Sequence, residues 1–120
     1  MVSQTQPVDT KPKTAVYSTA GNKRARRAVE LLRYYCLLHD LHCVFYLDKG
    51  IPKPDKSSAW QRLLDDVRAG KFDGVITWMQ APDMQQFCDS YNTKFAELDI
   101  FGWFQSLRTP KDDTLELHIR

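Results

Sequence analysis

The sequence lacks most features that would name a function outright. No run of about 18 apolar residues occurs, so no membrane-spanning helix is expected. No signal-peptide pattern is seen either, and the expectation is a soluble cytoplasmic protein with no membrane partner. The 5 glycines include no G-x-x-x-x-G-K spacing, which excludes a P-loop. Cys36, Cys43 and Cys88 are odd in number and widely spaced, so no metal centre is expected and no cofactor is implied. All three lie in apolar patterns and read as reduced core thiols. An excess of one charge sign is missing as well. The net charge is +2, which argues neither for nor against a nucleic-acid partner.

What is present suits one globular domain. The chain has 120 residues, 42% hydrophobic and 27% charged, enough for one modest core. Residues 1–12 are polar and aperiodic and read as a disordered tail, leaving 13–120 as the domain. Charge is distributed unevenly. Lys11, Lys13, Lys23, Arg24, Arg26 and Arg27 face only Asp9 and Glu30 over the first thirty residues, which suggests an anionic partner for that end.

Periodicity alternates between strand and helix. Thr14–Thr19 is a short β-prone run ending in a turn at Ala20-Gly21-Asn22. A helix follows, with Ala25, Ala28, Val29, Leu32, Tyr35, Cys36 and His39 on one face. His42–Leu47 is a second strand, apolar on both faces as if covered on both sides. Ser57 or Ser58 can cap a second helix that buries Trp60, Leu63, Leu64 and Val67 and stops at Gly70. Phe72–Met79 is the third strand. Asp83 and Gln86 form a capping-box pattern for a third helix that buries Met84, Phe87, Cys88, Tyr91, Phe95 and Leu98. Phe101–Leu107 reads as a fourth strand, with Trp103 and Phe104 on opposite faces. Thr114–Arg120 alternates strictly and reads as a half-exposed edge strand. The order predicts an α/β fold with a mostly parallel four-stranded sheet and helices on both faces, plus that C-terminal edge strand.

Residues Tyr46–Met79 carry a family likeness. Asp48-Lys49-Gly50-Ile51, Gln61-Arg62-Leu63-Leu64-Asp65-Asp66, Ala69-Gly70-Lys71-Phe72-Asp73 and Val75-Ile76-Thr77-Trp78 occur in order and at fitting intervals. In this the chain resembles the catalytic domain of serine recombinases (resolvases and invertases), over roughly residues 14–108. The resemblance implies a resolvase-like fold, a three-layer α/β/α sandwich with sheet order 2-1-3-4, and it also implies two groups that are missing. The family places a serine nucleophile in Y-x-R-x-S after the first strand and an arginine cluster, D-R-L-x-R, after the third. The serine attacks a DNA phosphodiester, and the arginines neutralise the charge that develops on the phosphoryl oxygens. Aligned on Tyr17, these first positions are Thr19 and Gly21; aligned on Ser18-Thr19, the arginine falls on Val16. After the third strand stand Ala81-Pro82-Asp83-Met84-Gln85. No residue is therefore expected to be catalytic, and the chain is expected to be a pseudoenzyme. The 120 residues also contain no counterpart of the family's long dimerisation helix or helix-turn-helix domain.

Three roles follow as alternatives. The first is a catalytically inactive accessory or regulatory protein, linked to a mobile element or phage, whose partner is a protein, a second copy in a homodimer, or a recombinase–DNA complex. Its expected interface is Trp103, Leu115, Leu117 and Ile119, on unprotected strands that can pair with a partner. The second is a phosphate- or nucleic-acid-binding module using Ser18, Thr19, Asn22, Lys23, Arg24, Arg26 and Arg27, at a helix N-terminus beside the crevice between loops 18–23 and 79–83. The plainer reading of these residues is a solvated loop and charged helix face, and no aromatic residue interleaves with the cluster except Tyr34 further on. The third is an enzyme of unrelated chemistry in the same crevice. His39 and His42 lack a third metal ligand. Asp48, Asp55, Asp65 and Asp66 offer no convincing acid–base pair.

Overall fold

The fold is given by a computed structural model, which describes residues 11–50 and 58–108. Four strands, β1 (Lys13–Thr19), β2 (His42–Asp48), β3 (Gly74–Thr77) and β4 (Lys94–Glu97), alternate with four helices, α1 (Lys23–Leu38), α2 (Ala59–Arg68), α3 (Met84–Ser90) and α4 (Ile100–Arg108). The sheet is wholly parallel, in the expected order β2-β1-β3-β4. Val16 pairs with Phe45 on one side and Ile76 on the other. Because the side chains of a strand alternate, the sheet feeds two cores. Ala15, Tyr17, Tyr46 and Val75 pack with Leu63 and Val67 of α2 and Met84 and Cys88 of α3. Val16 and Ile76 pack with Ala28, Leu31 and Leu32 of α1 and Ile100 of α4. The chain is thus a three-layer α/β/α sandwich.

Capping explains the helix boundaries. The Asn22 side chain accepts from the Ala25 N–H at 2.8 Å, and Ser58 accepts from the Gln61 N–H at 3.0 Å. Asp48 adds a second anchor at the start of α2, accepting from the Ala59 and Trp60 N–H groups at 2.8 and 3.1 Å. Three helices close with one motif, in which the N–H groups of a left-handed residue and of the residue after it reach back to the last turn. That residue is Gly70 (φ 73) after α2, as the sequence predicts, but Asp40 (φ 54) after α1 and Asn92 (φ 59) after α3. The reaching bonds are Leu41 to Cys36, Lys71 to Asp66 and Thr93 to Cys88.

Several expectations are corrected. The fourth strand is not Phe101–Leu107 but Lys94–Glu97, and 100–108 is helical. Asn92 ends α3 early, so Phe95 and Leu98 lie beyond the helix. The Asp99 side chain accepts from the Gly102 N–H at 3.1 Å and its carbonyl from the Trp103 N–H at 2.9 Å, which starts a helix there. Trp103 and Phe104 are therefore not on opposite faces of a strand; both pack with the α1-side core. β2 is the edge strand that the order 2-1-3-4 implies and is only partly covered: Tyr46 is buried in one core and Phe45 packs against the other, but Val44 is 42% and Leu47 37% exposed. His39 is the exposed C-cap of α1, not part of its buried face. Asp83 precedes α3 but makes no side-chain cap bond. Cys36 and Cys43 are not separate thiols: they pair as a disulfide, with Cα atoms 6.5 Å apart, tying the end of α1 to the start of β2. Disulfides persist chiefly in oxidising compartments, so this pair sits at odds with the reducing environment expected above. Cys88 is a buried free thiol, and burial, followed by the nearby Asp89 charge, pushes it up to about 11.

Among the described residues, no helix is long and apolar enough to cross a membrane. The tail at 1–10, Asp55, Ser57, and Leu115, Leu117 and Ile119 of the expected edge strand lie outside the described residues.

Candidate functional site

In a sheet of this order, β1 and β3 send their helices to opposite faces, and the crevice at their carboxyl ends is the usual place for a ligand. Here the loop after β1 is held tightly. The Ala20 N–H donates to the Asp48 carbonyl at 2.8 Å, and a Cβ on Gly21 would overlap the Lys49 carbonyl oxygen. Glycine is needed for that close approach. The carbonyl is an acceptor, so it offers nothing to a phosphate.

The seven residues expected to hold phosphate or nucleic acid divide into two sets. Ser18 is fully buried, and its hydroxyl donates to the Thr19 carbonyl at 2.7 Å and accepts from the Trp78 indole N–H at 2.9 Å. Thr19 points toward the Met79 sulfur at 3.9 Å, and Asn22 is used as the α1 cap. These three side chains serve the fold.

The other four, all cations, are exposed on α1. Arg24 lies over the rings of Phe101 at 4.1 Å and Trp78 at 5.7 Å. Arg27 lies over Phe104 at 5.2 Å and pairs with Glu30 at 3.1 Å. Lys23 and Arg26 have no side-chain partner among the described residues. Helical spacing puts Lys23, Arg26, Arg27, Glu30, Arg33 and Tyr34 on one face. Arg33, over Phe45 at 4.7 Å, extends the ridge along the same face. The ridge from position 23 to position 33 is about 15 Å long at helical rise.

Aromatic residues do reach this cluster, contrary to the sequence reading. They come from other elements: Trp78 follows β3, Phe101, Trp103 and Phe104 are on α4, and Phe45 is on β2. Trp103 packs against Tyr35 and Tyr34, with centroids 5.2 and 5.9 Å away. Rings under guanidinium groups add attraction of roughly 0.5–1 kcal/mol each at exposed sites. The sequence signal for this was the aromatic cluster Phe101-x-Trp103-Phe104 at helical spacing from Ile100.

The opposite face of the sheet is built differently. Tyr17 and Trp60 meet edge to face at 4.8 Å, and Thr77 donates to the Tyr17 carbonyl at 3.0 Å. Around them, Leu64, Met79, Met84 and Phe87 line a cavity of about 410 Å³. A wider groove of about 1020 Å³ runs past Asp73, Asp89 and Lys94 at the amino ends of the strands, the end that ligands of parallel sheets seldom use.

Asp48, Asp65 and Asp66 on this face have structural partners, whereas Asp83 at the cavity makes no side-chain cap bond. The Tyr17 hydroxyl donates to Asp48 at 2.8 Å, and burial together with that carboxylate pushes the phenol well above its usual range. Tyr46 donates to Asp66 and is raised in the same way. The Tyr46 hydroxyl, with Lys71 beside it, holds the Asp66 carboxyl below the usual range. Asp65 pairs with Arg68 at 3.0 Å. His39 lies against the Tyr35 ring at 4.2 Å. Among the described residues, no three His, Cys, Asp or Glu side chains converge as a metal site.

Neither a family model nor a curated protein matches the chain. The likeness to serine recombinases rests on the motifs quoted above.

Proposed function

We propose that the chain is a non-catalytic, resolvase-like accessory domain that binds a nucleic-acid backbone through the outer face of α1. The observation that carries this reading is the ridge itself. Among the described residues Lys23 and Arg26 have no side-chain partner, and Arg24, Arg27 and Arg33 beside them lie over aromatic rings, with Glu30 as the single acid along the ridge. Its length of about 15 Å matches roughly four phosphates along one strand of a duplex. Phosphate contacts of this kind position a protein without reading sequence, which suits an accessory role in a mobile-element or phage-derived complex.

Inactivity is supported by the same loops. The hydroxyl of Ser18 is buried and doubly hydrogen-bonded, which leaves it no path to a phosphodiester. The stretch Met79-Gln80-Ala81-Pro82-Asp83 brings no guanidinium to the crevice. Charge stabilisation of that kind is worth orders of magnitude in rate. Incubation with supercoiled DNA is expected to give no covalent protein–DNA adduct; an adduct on any serine refutes the pseudoenzyme reading. Fluorescence anisotropy with a labelled 20-base-pair duplex tests binding. Saturable binding at 50 mM salt that weakens steeply by 200 mM is expected, and no anisotropy change at 50 mM contradicts it.

A second reading, self-association, is favoured by β2, whose outer edge pairs with no strand among the described residues. Val44 and Leu47 are exposed there, and Leu37 and Leu38 at the end of α1 are 74% and 50% exposed. Such an edge invites pairing. Light scattering of the wild type and Val44→Lys tests it: a dimer converted to a monomer supports it, and a monomeric wild type excludes it.

A further inference from the structure

We infer that the cavity between α2 and α3 is a binding site for a small organic cation with a flat apolar body. It lies at the carboxyl ends of β1 and β3, on the face of the sheet opposite the basic ridge, and is independent of the nucleic-acid reading. A volume of about 410 Å³ is in the range of small-molecule sites. Its walls are Trp60, Leu64, Met84 and Phe87, with Tyr17 and Thr77 below. Aromatic and thioether groups of this kind suit a planar ring, and the methionines can adjust to its outline.

The sign of the ligand follows from Asp83. As the residue before α3 it should spend its carboxylate on the helix's first N–H groups, and it does not. It is exposed, lines the cavity and has no side-chain partner among the described residues. An unpaired carboxylate beside electron-rich ring faces favours a cation and repels an anion. Arg68, which lies over the Phe87 ring at 5.3 Å, has its guanidinium paired with Asp65 at 3.0 Å.

Titration of the ¹⁵N-labelled protein with tryptamine, and with its neutral counterpart tryptophol, tests this by amide chemical shifts. Saturable shifts centred on Trp60, Thr77, Met79, Met84 and Phe87 are expected, with tryptamine binding at least about five-fold more tightly than tryptophol. Asp83→Asn should remove that preference and leave the melting temperature unchanged, because the side chain makes no hydrogen bond or ion pair among the described residues. The absence of saturable shifts at these amides, equal affinity for the two probes, or a preference that survives Asp83→Asn would each overturn the inference.

Discussion

The two faces of the sheet are covered by helices of similar apolar character but finished in opposite ways. On the α1/α4 face the outer surface is cationic, and arginines lie across rings supplied by α4, β2 and the loop after β3. On the α2/α3 face two phenols are turned to internal bonds, Tyr17 to Asp48 and Tyr46 to Asp66, and the surface opens into an apolar cavity with Asp83 in its lining. One sheet therefore presents a charged contact surface and a concave one. The difference lies in where each face spends its polar groups: outward to solvent, or inward to the fold.

The largest effects should fall on both faces alike. Leu32→Ala under α1 and Leu63→Ala under α2 each remove a fully buried side chain, and each should cost about 3 kcal/mol in urea unfolding. A large inequality would mean that one face contributes little to the fold. Asp48→Ala should cost about 2 kcal/mol, because two N–H groups at the start of α2 and the Tyr17 hydroxyl lose their acceptor. Hydrogen exchange should quicken in α2 and not in α1. Equal quickening in both would erase the distinction between the faces.

Alkaline pH separates the faces next. Tyr17 and Tyr46 are both on the α2/α3 side, and both phenols are held above their usual range. Below pH about 10 they are neutral in the folded and unfolded chains alike, so their contribution is complete. Above it the unfolded phenols ionise while the folded ones resist, and stability falls by up to about 1.4 kcal/mol per pH unit for each. Melting curves from pH 8 to 11 should show this decline, and Tyr17→Phe with Tyr46→Phe should flatten it. An unchanged slope in the double variant contradicts the assignment.

The parallel order was legible because three apolar segments alternate with helical patterns and their turn signals are orthodox: Ala20-Gly21-Asn22, Ser58 and Gly70. The end of the domain was misread for two physical reasons. Phe95 and Leu98 continue the helical spacing of α3, yet Asn92 adopts a left-handed conformation that ends the helix, and only glycine announces such a stop reliably. The aromatic run 101–104 has high strand propensity, but Ile100, Trp103, Phe104 and Leu107 recur at helical intervals and Asp99 caps them. At the candidate site the cations of α1 were visible as a charge run. The rings beneath them were not, because Trp78, Phe101 and Phe104 come from distant parts of the chain. The burial of Ser18 against Trp78 is a tertiary contact of the same kind.

The claim that the α1 ridge binds a nucleic-acid backbone is tested most directly by the salt slope of duplex binding for wild type and Lys23→Ala/Arg26→Ala. With about three phosphate contacts the wild-type slope of log affinity against log salt should be near −2.7, an affinity loss of about forty-fold from 50 to 200 mM. The double variant should bind more weakly, with a slope near −0.9. A wild-type slope near zero, or a variant that keeps the wild-type slope and affinity, would contradict the account.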